Sequence, residues 1–392
     1  MTPGSSCARP DIVLLSTADW DNPFWTNKQH VALSLARRGH RVLYIDSLGL
    51  RPPTVKAQDL RRILRRLWRG LRPPRRVAER VLVWSPISIP WQKYGFIRFC
   101  NRILLATGLV VWMRLLGLRR EMLWTYNPMT LRLFPFRSFP KAIYHCVDEI
   151  KAQPGMPARE IETAERELVR AADICFVTAE HLLEARRCLN PHTHCFGNVA
   201  DFGHFVRARA VETTVPPDLA ALPAPRLGFV GAVSGYKVDF ALLRRLAKHY
   251  PQGSIVLIGK VGEGDPHTDV SALENLPNVH LLGARDYREL PGYLKGFDVA
   301  LLPCTLNDYT RGMFPMKFFE YLAAGCPVVS TNLPALRSYE SVAYLTGGHD
   351  EFIAAVGRVL AGDCASLAAR LDAAREHTYE ARTASMMTLV EA

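Results

Sequence analysis

Glu320 is the side chain whose position most needs a chemical reason. It lies in PMKFFEYLAAGCPVVST, residues 315–331. Pro315 suits the first turn of a helix, Gly325 its left-handed cap and Pro327 its stop, and PVVST a strand covered on both faces. Such a unit does not itself need a carboxylate one turn into the helix, with Lys317 on the same face. A helix N-terminus attracts phosphate. A carboxylate just behind it can accept two hydroxyl hydrogen bonds, as from a ribose, and the combination points to a nucleotide-sugar site.

Other groups could share in that chemistry. The run RLGFVG leads into Gly231, Ser234 and Gly235 and then Lys237, a turn whose N–H groups and ammonium suit an anion. Glycines at a strand-to-helix turn also serve purely steric ends. Neither this turn nor the one at Gly259, Gly262 and Gly264 matches G-x-G-x-x-G, so nicotinamide chemistry gains no support. His145 lies towards the carboxyl end of the run AIYHCV, where a histidine is either packed core or a cleft residue, and Asp148 and Glu149 follow as cleft carboxylates. An inverting transfer would need one of these as general base. Asp19 and Asp21 flank Trp20 in a D-x-D that reads either as a divalent-cation ligand or as a turn, and Asp21 is taken to be acceptor-side. His192 and His194 have no third ligand at useful spacing. No metal and no cofactor is expected.

These residues must be positioned by an α/β scaffold, because strand-like and helix-like segments alternate along all 392 residues. Strands are expected at 11–16, 41–46, 81–85, 121–126, 142–147 and 174–178. After the proline-rich stretch they resume at 226–231, 254–259, 278–283, 298–303 and 327–331. Helices are expected near 27–38 and over 158–171. This division predicts a first domain over 1–206, a linker over 207–225 with four prolines, a second domain over 226–376 and a C-terminal helix over 377–392 that packs back on the first domain. Two doubly wound parallel-sheet domains imply a cleft, with ligands beyond the carboxyl ends of the strands.

The net charge of +12 is concentrated. Residues 51–80 hold eleven Arg or Lys against Asp59 and Glu79. Within them DLRRILRRLWRGLR places Leu60, Ile63, Leu64, Leu67, Trp68 and Leu71 at helical spacing, with Arg61, Arg62, Arg65, Arg66, Arg69 and Arg72 on the remaining faces. That pattern fits a helix on an anionic membrane surface; a helix docked on its own domain is the plainer reading. Residues 96–118 add either surface contact or core. So local a charge argues against nucleic-acid binding. The uninterrupted apolar run at 103–113 is too short to cross a bilayer, which takes about 20 residues. No signal peptide is recognised at the N-terminus. The nine cysteines show no C-x-x-C, as expected of reduced thiols in the cytosol.

Three segments, LGFVGAVSGYKVDFALL, LPNVHLLGARDYRELPGYLKGFDVALLPC and PMKFFEYLAAGCPVVSTNLP, resemble in order and spacing the donor domain of GT-B fold glycosyltransferases, in the large retaining group that uses nucleotide sugars. STADWDNPFW, LARRGHRVLYID, WTYNP, YHCVDEI and the asparagine of GNVADFGHF resemble the teichuronic-acid and polysaccharide biosynthesis type. The resemblance implies that Glu320 binds the donor ribose. The N–H groups of Met313, Phe314 and Met316, helped by Lys237 and Lys317, would hold the diphosphate. Arg285 and Asp286 would border the base largely through backbone, and His145 would face the transferred sugar. A second glutamate, common in the family eight residues before the first, is here Gly312. The implied protein is a cytoplasmic transferase on the inner face of the cytoplasmic membrane. It would move a sugar from a nucleotide-diphosphate donor to a lipid-linked or polysaccharide acceptor, with the leaving phosphate able to take the acceptor's proton. A nucleotide-sugar 2-epimerase of the same fold and a non-catalytic carbohydrate- or partner-binding scaffold are the alternatives.

Overall fold

The computed structural model describes residues 9–22, 25–48, 70, 72–89, 94–265 and 267–392. The chain divides into two compact units. The first comprises residues 1–147, 156–177 and 182–195, the second residues 148–155, 178–181 and 196–392.

In the first unit, short runs of Ile, Val, Leu and aromatic residues form β1 (Ile12–Leu15), β2 (Val42–Ile45), β3 (Arg75–Ala78), β4 (Val81–Trp84), β5 (Met122–Thr125), β6 (Lys141–Cys146), β7 (Ile174–Val177) and β8 (Thr193–Cys195). They make one sheet in the order β3-β4-β2-β1-β5-β6-β7-β8, parallel except for β3 on β4. Strands β1, β2, β5 and β7 are buried at every residue, as continuous apolar runs between helical layers must be. Edge strand β3 was not expected. Its sequence, RRVA, has no apolar alternation, and exposed arginines there discourage further pairing.

The second unit is a wholly parallel sheet of β9 (Arg226–Val230), β10 (Ser254–Ile258), β11 (Val279–Gly283), β12 (Val299–Leu302), β13 (Val328–Thr331) and β14 (Tyr344–Thr346), in the order β11-β10-β9-β12-β13-β14. The sheet therefore reverses its direction of growth between β9 and β12, and a crevice opens where chains leaving those strands turn to opposite faces. Strands β9 and β10 pair along five residues, whereas β9 and β12 pair only at Leu227 and Gly228 before they diverge. Past that point Val230 needs another partner. It donates its N–H to Tyr321 Oη at 2.8 Å, and the same hydroxyl donates to the Val230 carbonyl at 3.3 Å. Tyr321 is fully buried, on the helix Lys317–Ala323. The strand ends are closely packed: a Cβ on Gly259 would lie 1.7 Å from the Gly231 carbonyl oxygen.

Three expectations change. Residues 207–225 are not a free linker: Ala208 and Leu219 are fully buried in the second unit's core, and Asp218 pairs with Arg285. Their prolines shape turns on a packed surface. Residues 377–392 group with the second unit, and so do residues 196–206, which were expected in the first domain. His377 stacks on Phe319 with centroids 4.3 Å apart, and Arg382 donates to the Gly197 carbonyl. Finally, the apolar run at 103–113 is part of a longer helix, Gly95–Leu115, which by length and composition alone could cross a membrane. Arg98 and Arg102 interrupt the apolar run without ending the helix.

Tyr321→Phe leaves both Val230 backbone groups without their partner in the interior. The expected loss is about 2 kcal/mol of stability, read as a lower urea midpoint. An unchanged midpoint would show that the bridge at the diverging strands contributes nothing.

Candidate functional site

The helix Lys317–Ala323 starts with the Phe318 N–H on the Pro315 carbonyl at 3.1 Å. It ends in a left-handed Gly325 (φ 81°), with Gly325 N–H on Leu322 and Cys326 N–H on Tyr321, each at 2.9 Å. That is the two-bond stop expected from glycine at this place. Within it the Glu320 side chain is 3% exposed and accepts from Lys317 Nζ at 2.5 Å. A carboxylate this buried needs a charged or hydrogen-bonding partner. Lys317 Nζ also lies 5.9 Å from the Phe205 ring centroid. Beside this pair His204 stacks on Tyr287 (4.3 Å, 12°), and its Nε2 is 2.8 Å from the Tyr287 carbonyl. Burial lowers the pKa of His204, against that hydrogen bond and the Asp201 and Glu320 carboxylates. His204 and Tyr287 were not singled out from sequence, because neither lies on a helix or strand with a readable pattern.

The turns after β9 and β12 are tied together at the crevice. Thr305 N–H donates to the Lys237 carbonyl at 3.0 Å, Asp239 N–H to Pro303 at 2.8 Å, and Asn307 Nδ2 to Tyr236 at 2.8 Å. Lys237, partly buried, places its ammonium 5.3 Å from the Tyr236 ring and 5.2 Å from the Tyr309 ring. Tyr309 Oη in turn donates to Asp148 at 3.3 Å. Burial alone would lower the Lys237 pKa, but Tyr309, Tyr236 and Asp148 outweigh it and raise it. Lys237 and Asp148, anticipated separately, thus meet through a tyrosine that sequence reasoning did not single out.

Several expected donors are already engaged. Gly231 N–H bonds Ile258, Gly235 N–H bonds Thr268 Oγ1, and Ser234 Oγ bonds Glu263, at 2.9, 3.3 and 2.6 Å. This turn is held to β10 and the loop that follows it, so what it presents to an anion in this structure is Lys237. The Met313 N–H donates to Thr310 at 3.2 Å, which corrects its expected availability to a diphosphate. The Phe314 carbonyl accepts from Asn198 Nδ2 at 2.6 Å, which ties down the loop before Met316. Arg285 bonds Asp218 and Tyr293, and Asp286 caps the next turn while gripping Arg288. Arg288 draws the Asp286 pKa down to about 2. Both side chains of this pair are therefore engaged within the second unit.

In the first unit His145 is the penultimate residue of β6, and it has no exposed surface. It stacks on Tyr126 at 4.8 Å and meets Trp124 and Phe176 edge-on at 5.9 and 6.1 Å. Contact with a sugar would require those rings to part. A buried carboxylate of this unit is Asp46, just beyond β2. It accepts from Trp20 N–H at 2.8 Å and from Ser85 Oγ. Burial, with lesser help from Asp19 and Asp21, raises its pKa to about 6 against those two hydrogen bonds. It was missed because nothing around Asp46 in sequence distinguishes it from a strand-end turn residue. Asp21 is exposed and pairs with Arg75 at 2.5 Å. Arg61, Arg62, Arg65, Arg66, Trp68 and Arg69 lie outside the described residues.

Lys317→Met strands the Glu320 carboxylate. The expected cost is about 2 kcal/mol, less than for a fully buried pair because Lys317 is partly exposed. Glu320→Gln in the same chain should recover most of it, and parallel urea titrations giving equal midpoints would sink the claim. Asp46 has a higher pKa folded than unfolded, so its contribution to stability is complete below about pH 4 and is lost as pH rises through about 6. Relative to wild type, Asp46→Asn should therefore gain stability between pH 4 and 7. A pH-independent difference in urea midpoint would refute this.

Residues 224–362 match the family model described as glycosyl transferases group 1. The chain is 29% identical over 259 residues to the Bacillus subtilis (strain 168) protein TuaH, assigned to teichuronic acid biosynthesis as a glycosyltransferase. The match covers 61% of this chain and 63% of that relative. Among solved structures, sucrose-phosphate synthase from Thermosynechococcus elongatus superposes with a TM-score of 0.68 at 17% identity, over 98% of both chains. HepE from Anabaena in complex with UDP gives 0.63 at 13% identity, over 98% of this chain and 100% of that one. An E. coli trehalose-6-phosphate structure bound with UDP-2-fluoro glucose gives 0.64 at 13% identity, over 96% and 98%. The two parallel-sheet units are thus those of a GT-B fold, and residues 224–362 are similar to the group 1 glycosyl transferases.

Proposed function

We propose that this protein is a glycosyltransferase that moves a sugar from a nucleotide-diphosphate donor to a lipid-linked or polysaccharide acceptor, with retention, in building cell-envelope or exported polysaccharide. The observation that carries the reading is Glu320. It is a buried carboxylate paired with Lys317 on a helix that Tyr321 fastens to β9, within the residues similar to the group 1 glycosyl transferases. Two of the fold's neighbours, with UDP and with UDP-2-fluoro glucose, support a nucleotide-sugar donor.

In this reading Glu320 accepts from the donor ribose, while Lys237 and Lys317 place positive charge at the diphosphate. The charge on the leaving phosphate grows as the glycosidic bond breaks, so ammonium groups already fixed in place lower the barrier most. The phosphate oxygen then takes the acceptor's proton, and no protein nucleophile is required. Asp148, partly exposed and beside Lys237, is the carboxylate proposed near the transferred sugar, and buried His145 is proposed to hold the end of β6. No metal is assigned a part. The arginine-rich stretch at 51–80 supports work on an acceptor at an anionic membrane surface, and the resemblance to TuaH supports the envelope role. Eight described cysteines are outside any disulfide, which fits a reducing compartment such as the cytoplasm.

Glu320→Ala should lower transfer at least a hundredfold and abolish the thermal shift given by the cognate nucleotide sugar. The cognate donor comes from a screen of UDP-, GDP-, ADP- and dTDP-sugars. Near-normal transfer and donor affinity would overturn the assignment, and epimerised donor without acceptor would replace it with a 2-epimerase.

A further inference from the structure

The helix Gly95–Leu115 has two unlike faces. One carries Asn101, Leu105, Leu109 and Met113, all buried and four residues apart. Asn101 fastens this face to the first unit through both backbone groups of Ile89, at 2.7 and 2.9 Å. Gly108 lets the helix lie against Trp84, whose ring a Cβ there would meet at 2.7 Å. The opposite face carries Phe96, Phe99, Ile103, Leu104, Val111 and Leu115, between 42% and 76% exposed. Of the twelve exposed large hydrophobic side chains among the described residues, seven lie between Tyr94 and Leu115, so the apolar surface is one stripe and not scatter.

Length does not make this helix a span. One side is locked along its whole course to its own domain, so it can only lie flat. Laid flat, a 21-residue helix offers a stripe about 30 Å long. Its charges say what covers it. The helix contains no Asp or Glu; of its arginines, Arg114 falls within the stripe by helical spacing while Arg98 and Arg102 fall towards the docked side, and Arg119 and Arg120 follow the helix. Arg98 and Arg119 pair with Glu160 and Glu121, while Arg102 and Arg114 are exposed. An apolar stripe on a helix with exposed arginines and no carboxylate matches acyl chains beneath anionic headgroups.

We propose that the exposed face of Gly95–Leu115 inserts into the anionic leaflet of a membrane, with the helix axis parallel to the bilayer. The proposal rests on the reading above of an acceptor held at a membrane, and it names the surface that reaches it. The depth of insertion comes from apolar contact, so part of the binding survives salt that screens arginine–headgroup attraction.

The test is co-sedimentation of the full chain with vesicles of phosphatidylcholine alone and of phosphatidylcholine with phosphatidylglycerol, at low and high salt. A triple variant, Phe96→Gln, Phe99→Gln and Ile103→Gln, keeps helix-forming residues at these exposed positions. Wild type is expected to bind the anionic vesicles, with a residue of binding at high salt. The variant should bind at least tenfold more weakly, with an unchanged circular dichroism spectrum and unchanged thermal shift by the cognate nucleotide sugar. Undiminished binding by the variant would overturn the inference and leave the arginine-rich segment as the membrane contact. So would a wild type that ignores both vesicles, or a lipid-free dimer by light scattering that the variant converts to monomer. Absence of any nucleotide-sugar response in both proteins would instead overturn the glycosyltransferase reading, whatever the vesicles show.

Discussion

The second unit depends on the place where β9 and β12 part. Parallel strands joined by right-handed crossovers can cover both faces of a sheet only if the order of winding reverses somewhere, and there two neighbouring strands send their chains apart. The reversal leaves Val230 without a strand to bond on one side, and the Tyr321 hydroxyl supplies what the strand no longer can. Because Tyr321 follows Glu320, the bond that repairs the sheet also fixes the helix bearing the candidate ribose ligand. Stability and chemistry share one residue's neighbourhood.

The same divergence explains the Lys237 setting. Turns following β9 and β12 run side by side only because their strands are neighbours, and Tyr309 from one can then lie against Lys237 from the other. An ammonium between aromatic faces and a carboxylate is held charged and in place, as electrostatic stabilisation of a leaving group requires. The glycine turn has a more modest part than its composition suggests, because the Gly231 and Gly235 N–H groups are spent on β10 and the loop after it.

In the first unit the corresponding strand ends are knitted more tightly. Tyr44 Oη bonds Ser16 and Ala18, Trp20 packs edge-on against Tyr44, and Asp46 ties the ends of β1, β2 and β4 together. A carboxylate enclosed this way pays for its desolvation in a raised pKa. The helix Gly95–Leu115 shows the opposite economy, with half of its apolar surface left outside the core.

Much of this was legible in the residues alone. Apolar runs closed by Gly, Pro or a polar residue located the strands β9 to β13 within about a residue, and the stop at Gly325 was read as it stands, because both are matters of local backbone preference. Short or charged strands such as β3 and β14 escaped, since their pairing is decided by neighbours and not by their own pattern. Proline suggested a linker at 207–225 because composition reports turns but not what the turns pack against. Strand order, the Val230–Tyr321 bridge across 91 residues and the Asp148–Tyr309 bond across 161 exist only once the sheet has closed. So do the burial of His145 and the exposure of Phe96. Sequence determined which groups were present and which local turns carried them. Tertiary structure decided which of them meet, because burial and long-range hydrogen bonds depend on distances that no local preference encodes.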